Sequence, residues 1–325
     1  MELALDIGGT RIKAAWRVAG AESLPLCILK PLDTKEVFFT GPADAAARLV
    51  ARLPFASGQL ASIAVSVCGP VDMATRTLLD AYNLSVHSDG GRIKSLDLCG
   101  RLAGAFHVGS EDVIMVNDAV PPLAAVVGLG AGGRSRNYVA SLLPKHIAEQ
   151  LDMAGAPWPS LSQHSAVLAI VLGTGVAVSF YDAALGHLVI AERWAYEQCR
   201  VGTRGGDELV GRLLEANERD RLVKEPGGRE RFSKRVARSA HIMATLLRKT
   251  LNRSAVPVAL LILGGGARHV DAAVFTADLR AQAGGDALYP TSAVLSDDEG
   301  QRAFMLAGTL AVHHLALGPY VRVLS

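Results

Sequence analysis

Four short stretches of this chain combine residue types that can do chemistry. In LALDIGGTRIKAAWR, residues 3–17, an apolar run ends in Asp6 and turns through Gly8 and Gly9 into Thr10 and Lys13. Glycines at a strand end leave backbone N–H groups without a Cβ in the way, so an anionic oxygen can approach closely, and Thr10 adds a hydroxyl. Asp6 would repel a bare phosphate. Its presence makes sense for phosphate binding when a divalent cation or its water shell lies between them, and a tight hairpin closed by an Asx-turn is the plainer reading of the same residues. A second turn of the same design, Gly173, Thr174 and Gly175, lies between AVLAIVL and VAVSFY, and a third, Gly264, Gly265 and Gly266, follows VPVALLIL. The third turn is expected to lead into a helix, whose N-terminus would favour a nucleotide's negative charge. In VIMVNDAV, Asn117 and Asp118 end a strand, where ligand-facing groups of α/β sheets gather. A carboxylate there can take the proton of an attacking hydroxyl, with Asn117 orienting the acceptor; an N-cap for the next segment is the alternative.

The elements that would hold these groups read as mixed α/β. LALDI, IKAAWRV and PLCILKPL are strand candidates, PADAAARLVARL at 42–53 a helix, and LASIAVSVCG at 60–69 a buried strand. SLDLCGRLAGAF at 95–106 has helical spacing with Ser95 as cap, and DVIMV at 112–116 is a strand. From 165 the order is strand, glycine turn, strand, helix through DELVGRLLEANERDRLV, a Pro-Gly-Gly break, a long amphipathic helix near 230–253, strand 256–263 and a final helix RAFMLAGTLAVHHLAL. The stretch from about 132 to 163 is the least legible.

At 325 residues there is room for two domains. Half of the residues are hydrophobic and the net charge is +2, with no basic stripe, so nucleic acid is not an expected partner. VPVALLIL is far short of the roughly 20 residues that span a bilayer, and no membrane segment is expected. Glu2 and Asp6 stand where a signal peptide needs a basic start, which points to the cytoplasm. Four scattered cysteines form no C-x-x-C pair. GLGAGG at 128–133 matches G-x-G-x-x-G but follows a predicted helix, not a strand, and is not read as a dinucleotide site.

LALDIGGTRIKAAW, CGPVD, VNDA, VLGTG, LGH and LILGGGAR, in this order, resemble the ROK family of sugar kinases, within the actin-like ATPase superfamily that includes hexokinases. The resemblance runs from residue 3 to about 315 and is weakest between 130 and 163. It implies two ribonuclease H-like lobes with a ligand cleft between them: residues 1–119 as the first, 120–325 as the second, with the last helix, about 302–317, able to pack back on the first. ATP with Mg2+ and a sugar are the implied ligands, and a homodimer is an implied arrangement. By the same resemblance Asp6, Gly8, Gly9, Thr10 and Lys13 form the first phosphate motif, with Asp6 holding magnesium through water. Gly173, Thr174 and Gly175 form the second, Gly264, Gly265 and Gly266 the adenosine motif, and Asp118 is the catalytic base. Asn83, Asn117 and His187 are the implied sugar contacts.

Three departures qualify it. The family's Glu-x-Gly-His motif reads ALGH here, with Ala184 at the carboxylate position, so either Glu192 or Glu197 replaces it or the substrate lacks the usual hydroxyl pattern. Of the family's cysteine-rich zinc motif only Cys199 is present, so no zinc is expected and His187 is available to substrate. The long spacing between Asp118 and Gly173 implies an insertion that covers or reshapes the cleft. The expected activity is an ATP-dependent kinase acting on a hydroxyl of a hexose or N-acetylated hexosamine. The alternatives are a nucleotide-binding regulator of the same fold without sugar phosphorylation, and a kinase of a non-sugar alcohol.

Overall fold

The computed structural model describes residues 1–20, 26–38, 44–55, 58–72, 74–79, 84, 95–130, 133–145, 147, 166–203, 206–254, 256–284, 288–290, 292–315 and 321–323. Asn83 and most of 132–163 lie outside them. By its contacts the chain divides into two compact units, Met1–Pro144 with Arg302–Pro319, and Lys145–Gln301 with Tyr320–Ser325. The first unit therefore runs on past residue 119, through helices Val120–Gly130 and Gly133–Leu142.

In the first unit β1 (Glu2–Ile7) is central. Leu3, Ala4, Leu5 and Ile7 are all fully buried, as in a strand covered on both faces. It pairs antiparallel with β2 (Arg11–Arg17), which carries the short β3 (Cys27–Ile28) and β4 (Leu32–Asp33). On its other side it runs parallel to β5 (Ser62–Val67). A three-stranded sheet of β6 (Val71–Asp72), β7 (Thr77–Leu79) and β8 (Ser95–Leu96) follows, and β9 (Val113–Asn117) then pairs parallel with β5. The expected third strand, PLCILKPL, is thus only two short pairings. Ser95 belongs to β8, and the cap of helix Leu98–Phe106 is Asp97, whose carboxylate accepts from the Gly100 N–H at 2.8 Å. Gly308, in helix Asp298–Leu315, is the close-approach point against helix Val120–Gly130. A Cβ there would lie 1.9 Å from the Pro121 carbonyl oxygen.

The second unit repeats the strand plan. β10 (Ala166–Leu172) is central, antiparallel to β11 (Val176–Asp182), which continues to β12 (His187–Ile190). The hairpin β13 (Arg200–Thr203) and β14 (Gly206–Leu209) comes next in the chain. On the other side of β10 lie β15 (Val258–Leu263) and β16 (Ser292–Val294), both parallel, and β17 (Val321–Val323) joins β12. The sheet rests on helix Gly228–Thr250, whose Phe232, Val236, Ala240 and Ala244 are fully buried in its core.

DELVGRLLEANERDRLV is not one helix. Gly206–Leu209 is a strand, Val210–Leu214 and Ala216–Leu222 are separate short helices, and Glu215 between them has ψ 153. The break has a tertiary cause: the Ala216 N–H, which a continuous helix would spend internally, donates to the Thr174 carbonyl at 3.3 Å. The triple glycine is followed by a three-residue 3-10 turn, Ala267–His269, and the next helix, Ala272–Ala283, is capped by Asp271. The N-terminus directly behind that turn is that of the 3-10 helix, and the α-helix starts only at Ala272.

Candidate active site

Three parallel strands, β1, β5 and β9, end together in the first unit, because Ile7 is in register with Val67 and Val67 with Asn117. That edge carries Asp6 and the Gly8–Thr10 turn from β1, Cys68 and Gly69 after β5, and Asn117 and Asp118 from β9. Adjacent strands lie about 4.8 Å apart, so Asp118 and the Asp6 turn are roughly 10 Å from each other.

Asp6 is 3 % exposed and accepts from Lys13 Nζ at 2.6 Å and from Ser66 Oγ at 2.8 Å. A buried carboxylate is thereby neutralised by the residue opposite it in the hairpin register. Gly8 donates its N–H to the Arg11 carbonyl at 3.0 Å and accepts from Thr34 Oγ1 at 2.8 Å. This N–H closes the turn, whereas the glycine pattern had predicted it open to an anionic oxygen. Gly9 is half-buried and Thr10 exposed.

Asn117 is equally occupied. Its Nδ2 donates to the Gly69 carbonyl at 2.8 Å and its Oδ1 accepts from the Ala119 N–H at 2.9 Å. These bonds fix the chain on either side of Asp118, whose own N–H donates to the Val67 carbonyl at 3.0 Å. Asp118 is half-buried, at the edge of the sheet and not within its core. Asn117 thus acts on its neighbour's placement.

In the second unit the two remaining glycine turns, some ninety residues apart in sequence, pack on each other. Both lie at one edge, since Val171 is in register with Leu263. Gly266 donates its N–H to the Leu172 carbonyl at 2.7 Å, and Gly264 has φ +92, with Leu172 backbone atoms 2.7 to 2.9 Å from where its Cβ would be. Gly173 closes its own turn onto the Gly175 carbonyl at 3.0 Å, and nothing lies within 4 Å of a Cβ built on Gly265. Arg219 Nη1 donates to the Gly173 carbonyl at 3.1 Å, and the Tyr196 hydroxyl accepts from the Val176 N–H at 2.9 Å.

His187 is not among these groups. It opens β12 opposite Asp182, at the far end of β11 from the Gly173–Gly175 turn. Seven strand residues separate the two ends, about 20 Å at 3.3 Å per residue. The LGH resemblance falls on a β-hairpin turn. Asp182 Oδ1 accepts from the N–H groups of Ala184 and Leu185, Arg253 donates to Asp182 at 2.7 Å, and Gly186 takes φ +62. Ala184 is thus an exposed residue of the turn at the end of β11 away from Gly173–Gly175. The chain returns along β12 to the glycine-turn edge, where helix Glu192–Glu197 begins at Glu192 and ends at the exposed Glu197. Its Tyr196 hydroxyl lies 3.0 Å from a Cβ built on Gly175. Of Glu192 and Glu197, the carboxylates expected as replacements, Glu197 adjoins the residue that touches the turn.

Cys199 is buried and its thiol is raised to about 11 by burial, as for an inert core cysteine. Among the described residues no group of three or more His, Cys, Asp or Glu side chains could hold a metal ion. Magnesium brought by a nucleotide keeps most of its waters and needs few protein ligands; Asp6, the carboxylate expected to accept from those waters, is 3 % exposed with a donor on each oxygen. Ser66, Tyr196 and Arg219 escaped the sequence reading. A serine inside SIAVSV was a detectable signal; nothing in the sequence marks the other two.

No protein-family model and no curated protein matches the chain. Solved structures do. The ROK-family glucokinase of Streptomyces griseus, in complex with glucose and AMPPNP, is similar with a TM-score of 0.57 and 17 % identity, over 96 % of this chain and 99 % of that one. The ROK hexokinase of Thermus thermophilus has a TM-score of 0.54 and 18 % identity, with 96 % and 99 % covered. A putative sugar kinase of Cytophaga hutchinsonii has a TM-score of 0.57 and 13 % identity over the same shares. The chain has the α/β fold of ROK sugar kinases.

Proposed function

We propose that this chain is an ATP-dependent kinase that phosphorylates a hydroxyl of a sugar. The observation that carries the reading is the carboxylate of Asp118, half-buried at the edge where β1, β5 and β9 end, beside the Asp6–Lys13 glycine turn. The fold shared with sugar kinases supports it.

In this reading Asp118 accepts the proton of the attacking hydroxyl. Asn117 holds it in place through Gly69 and Ala119. Asp6 would accept from the waters of a nucleotide-borne magnesium, which would offset phosphate charge, and Lys13 keeps the Asp6 carboxylate compensated. The joined Gly173–Gly175 and Gly264–Gly266 turns take the nucleotide. Glu197 is the carboxylate assigned to the sugar hydroxyls, in preference to His187. Positioning and charge neutralisation supply most of the acceleration, as phosphoryl transfer requires.

The test is ADP release by the purified protein with ATP and magnesium against glucose, fructose, mannose, allose and the N-acetylated hexosamines. Turnover with one of them that disappears in Asp118→Asn is the expected result. ATP binding with no turnover on any acceptor would favour a nucleotide-binding regulator, and turnover only on non-sugar alcohols would move the acceptor class.

A further inference from the structure

Arg219 is a buried cation paired with a half-solvated carboxylate. It is 6 % exposed, and its partner carboxylate, Asp220, at 3.0 Å from Nε, has half of its side chain in water. Burying a guanidinium costs free energy unless its surroundings or a ligand offset the charge. Its surroundings are the two glycine turns of the second unit. Nη1 donates to the Gly173 carbonyl at 3.1 Å and lies 2.6 Å from where a Cβ on Gly266 would stand. The helix that carries it is entered through the Ala216–Thr174 hydrogen bond. Segments 172–175, 216–219 and 264–266 thus meet at one side chain.

Further cations lie around His269, in the 3-10 turn after the triple glycine. The Arg229 guanidinium donates to the Arg268 carbonyl, and Arg268 Nε donates to His269 Nε2 at 3.1 Å. His269 itself is held below its ordinary range, first by burial and then by Arg268, Arg219 and, more weakly, Arg229, with Asp220 opposing. Gly265, at the middle of the triple-glycine turn, leaves open space.

Resting on the nucleotide reading above, we propose that Arg219 is a positioning residue that clasps the Gly173–Gly175 and Gly264–Gly266 turns into one cradle and gives that cradle the positive charge that selects the phosphate chain of a nucleotide. An arginine suits both tasks, since its fork can hold a carbonyl with one nitrogen while the delocalised charge acts on a phosphate.

The experiment measures ATP affinity of the full chain and its dependence on salt, for wild type, Arg219→Gln and Arg219→Lys. Arg219→Gln should bind ATP about 10- to 100-fold more weakly, the usual worth of a hydrogen bond to a charged group, and with a shallower salt dependence. Arg219→Lys should lose about three- to tenfold while keeping the wild-type salt dependence, because an ammonium retains the charge but cannot fork. Unchanged affinity in Arg219→Gln overturns the proposal, and so does an equal loss in both variants with wild-type salt dependence, which a purely structural role would produce. If Arg219→Gln does not fold, Arg219→Lys decides: wild-type affinity overturns the assignment. A wild-type chain that binds neither ATP nor inorganic tripolyphosphate overturns the nucleotide reading itself, a result distinct from the others.

Discussion

Lys13 stands directly opposite Asp6 in the β1–β2 hairpin and donates Nζ to its carboxylate at 2.6 Å. The first glycine turn is therefore built around a compensated acid. Asp6 is buried, whereas about a third of the Lys13 side chain, 31 %, remains in water. Removing the ammonium leaves the buried Asp6 carboxylate with the Ser66 hydroxyl as its donor but without a counter-charge. Lys13→Ala should lower the unfolding free energy by about 1–3 kcal/mol, below the full cost of breaking a buried pair because the lysine is partly solvated. Urea denaturation measures it, and wild-type stability would show that the pair contributes nothing.

Asp118→Asn should keep the fold and ATP affinity while turnover falls about 10²- to 10⁴-fold, the range for a general base. Coupled ADP release with calorimetric ATP binding separates the two effects. Undiminished turnover removes Asp118 from the mechanism.

Gly264 and Gly265 should respond oppositely to alanine. At Gly264 the backbone has φ +92 and a Cβ would meet the Leu172 carbonyl oxygen at 2.7 Å, so Gly264→Ala should cost more than about 2 kcal/mol. Gly265→Ala adds a methyl to open space and should leave stability within about 0.5 kcal/mol. Thermal melts of both variants check the contrast, and equal destabilisation would refute the packing of the two turns.

His187→Ala should leave turnover and both KM values unchanged, since that residue lies at the far end of β11. Glu197→Gln should raise the sugar KM about tenfold or more, the worth of one charged hydrogen bond, without altering ATP affinity. The reverse pattern would return the sugar contact to the hairpin.

His241 and His269 both have pKa values held below the ordinary 6.5, chiefly by burial and then by neighbouring arginines. Below pH 6.5 the unfolded chain binds more protons at these sites than the native one, so the stability they protect is complete above that pH and declines as pH falls through it. The denaturation midpoint should drop between pH 7 and pH 5, ahead of carboxylate titration, and His241→Gln with His269→Gln should flatten that slope. A double variant with the wild-type slope would assign the decline elsewhere.

Local chemistry made much of this legible. Leu3 to Ile7, Ala166 to Leu172 and Val258 to Leu263 are apolar runs between turn residues, and each is a strand. The glycines after them are turns because close backbone approach, as at Gly264, leaves no room for a side chain. Asp118 at a strand end was legible for the same local reason. The helix drawn through residues 207–223 was not, because its break at Glu215 answers to Thr174, some forty residues away.

The place of the LGH stretch was hidden for a related reason: a three-residue likeness does not say at which end of a sheet it falls. The β11–β12 register alone sends His187 away from the glycine turns and brings Tyr196 back to them. Sequence by itself determined the repeated strand-and-glycine plan, since burial patterns and turn residues are properties of neighbours along the chain. Only the tertiary structure decided that Ser66 and Lys13 share Asp6, and that Arg219 bonds Gly173 close beside Gly266, because those contacts depend on strand register and on a helix break that no local propensity encodes.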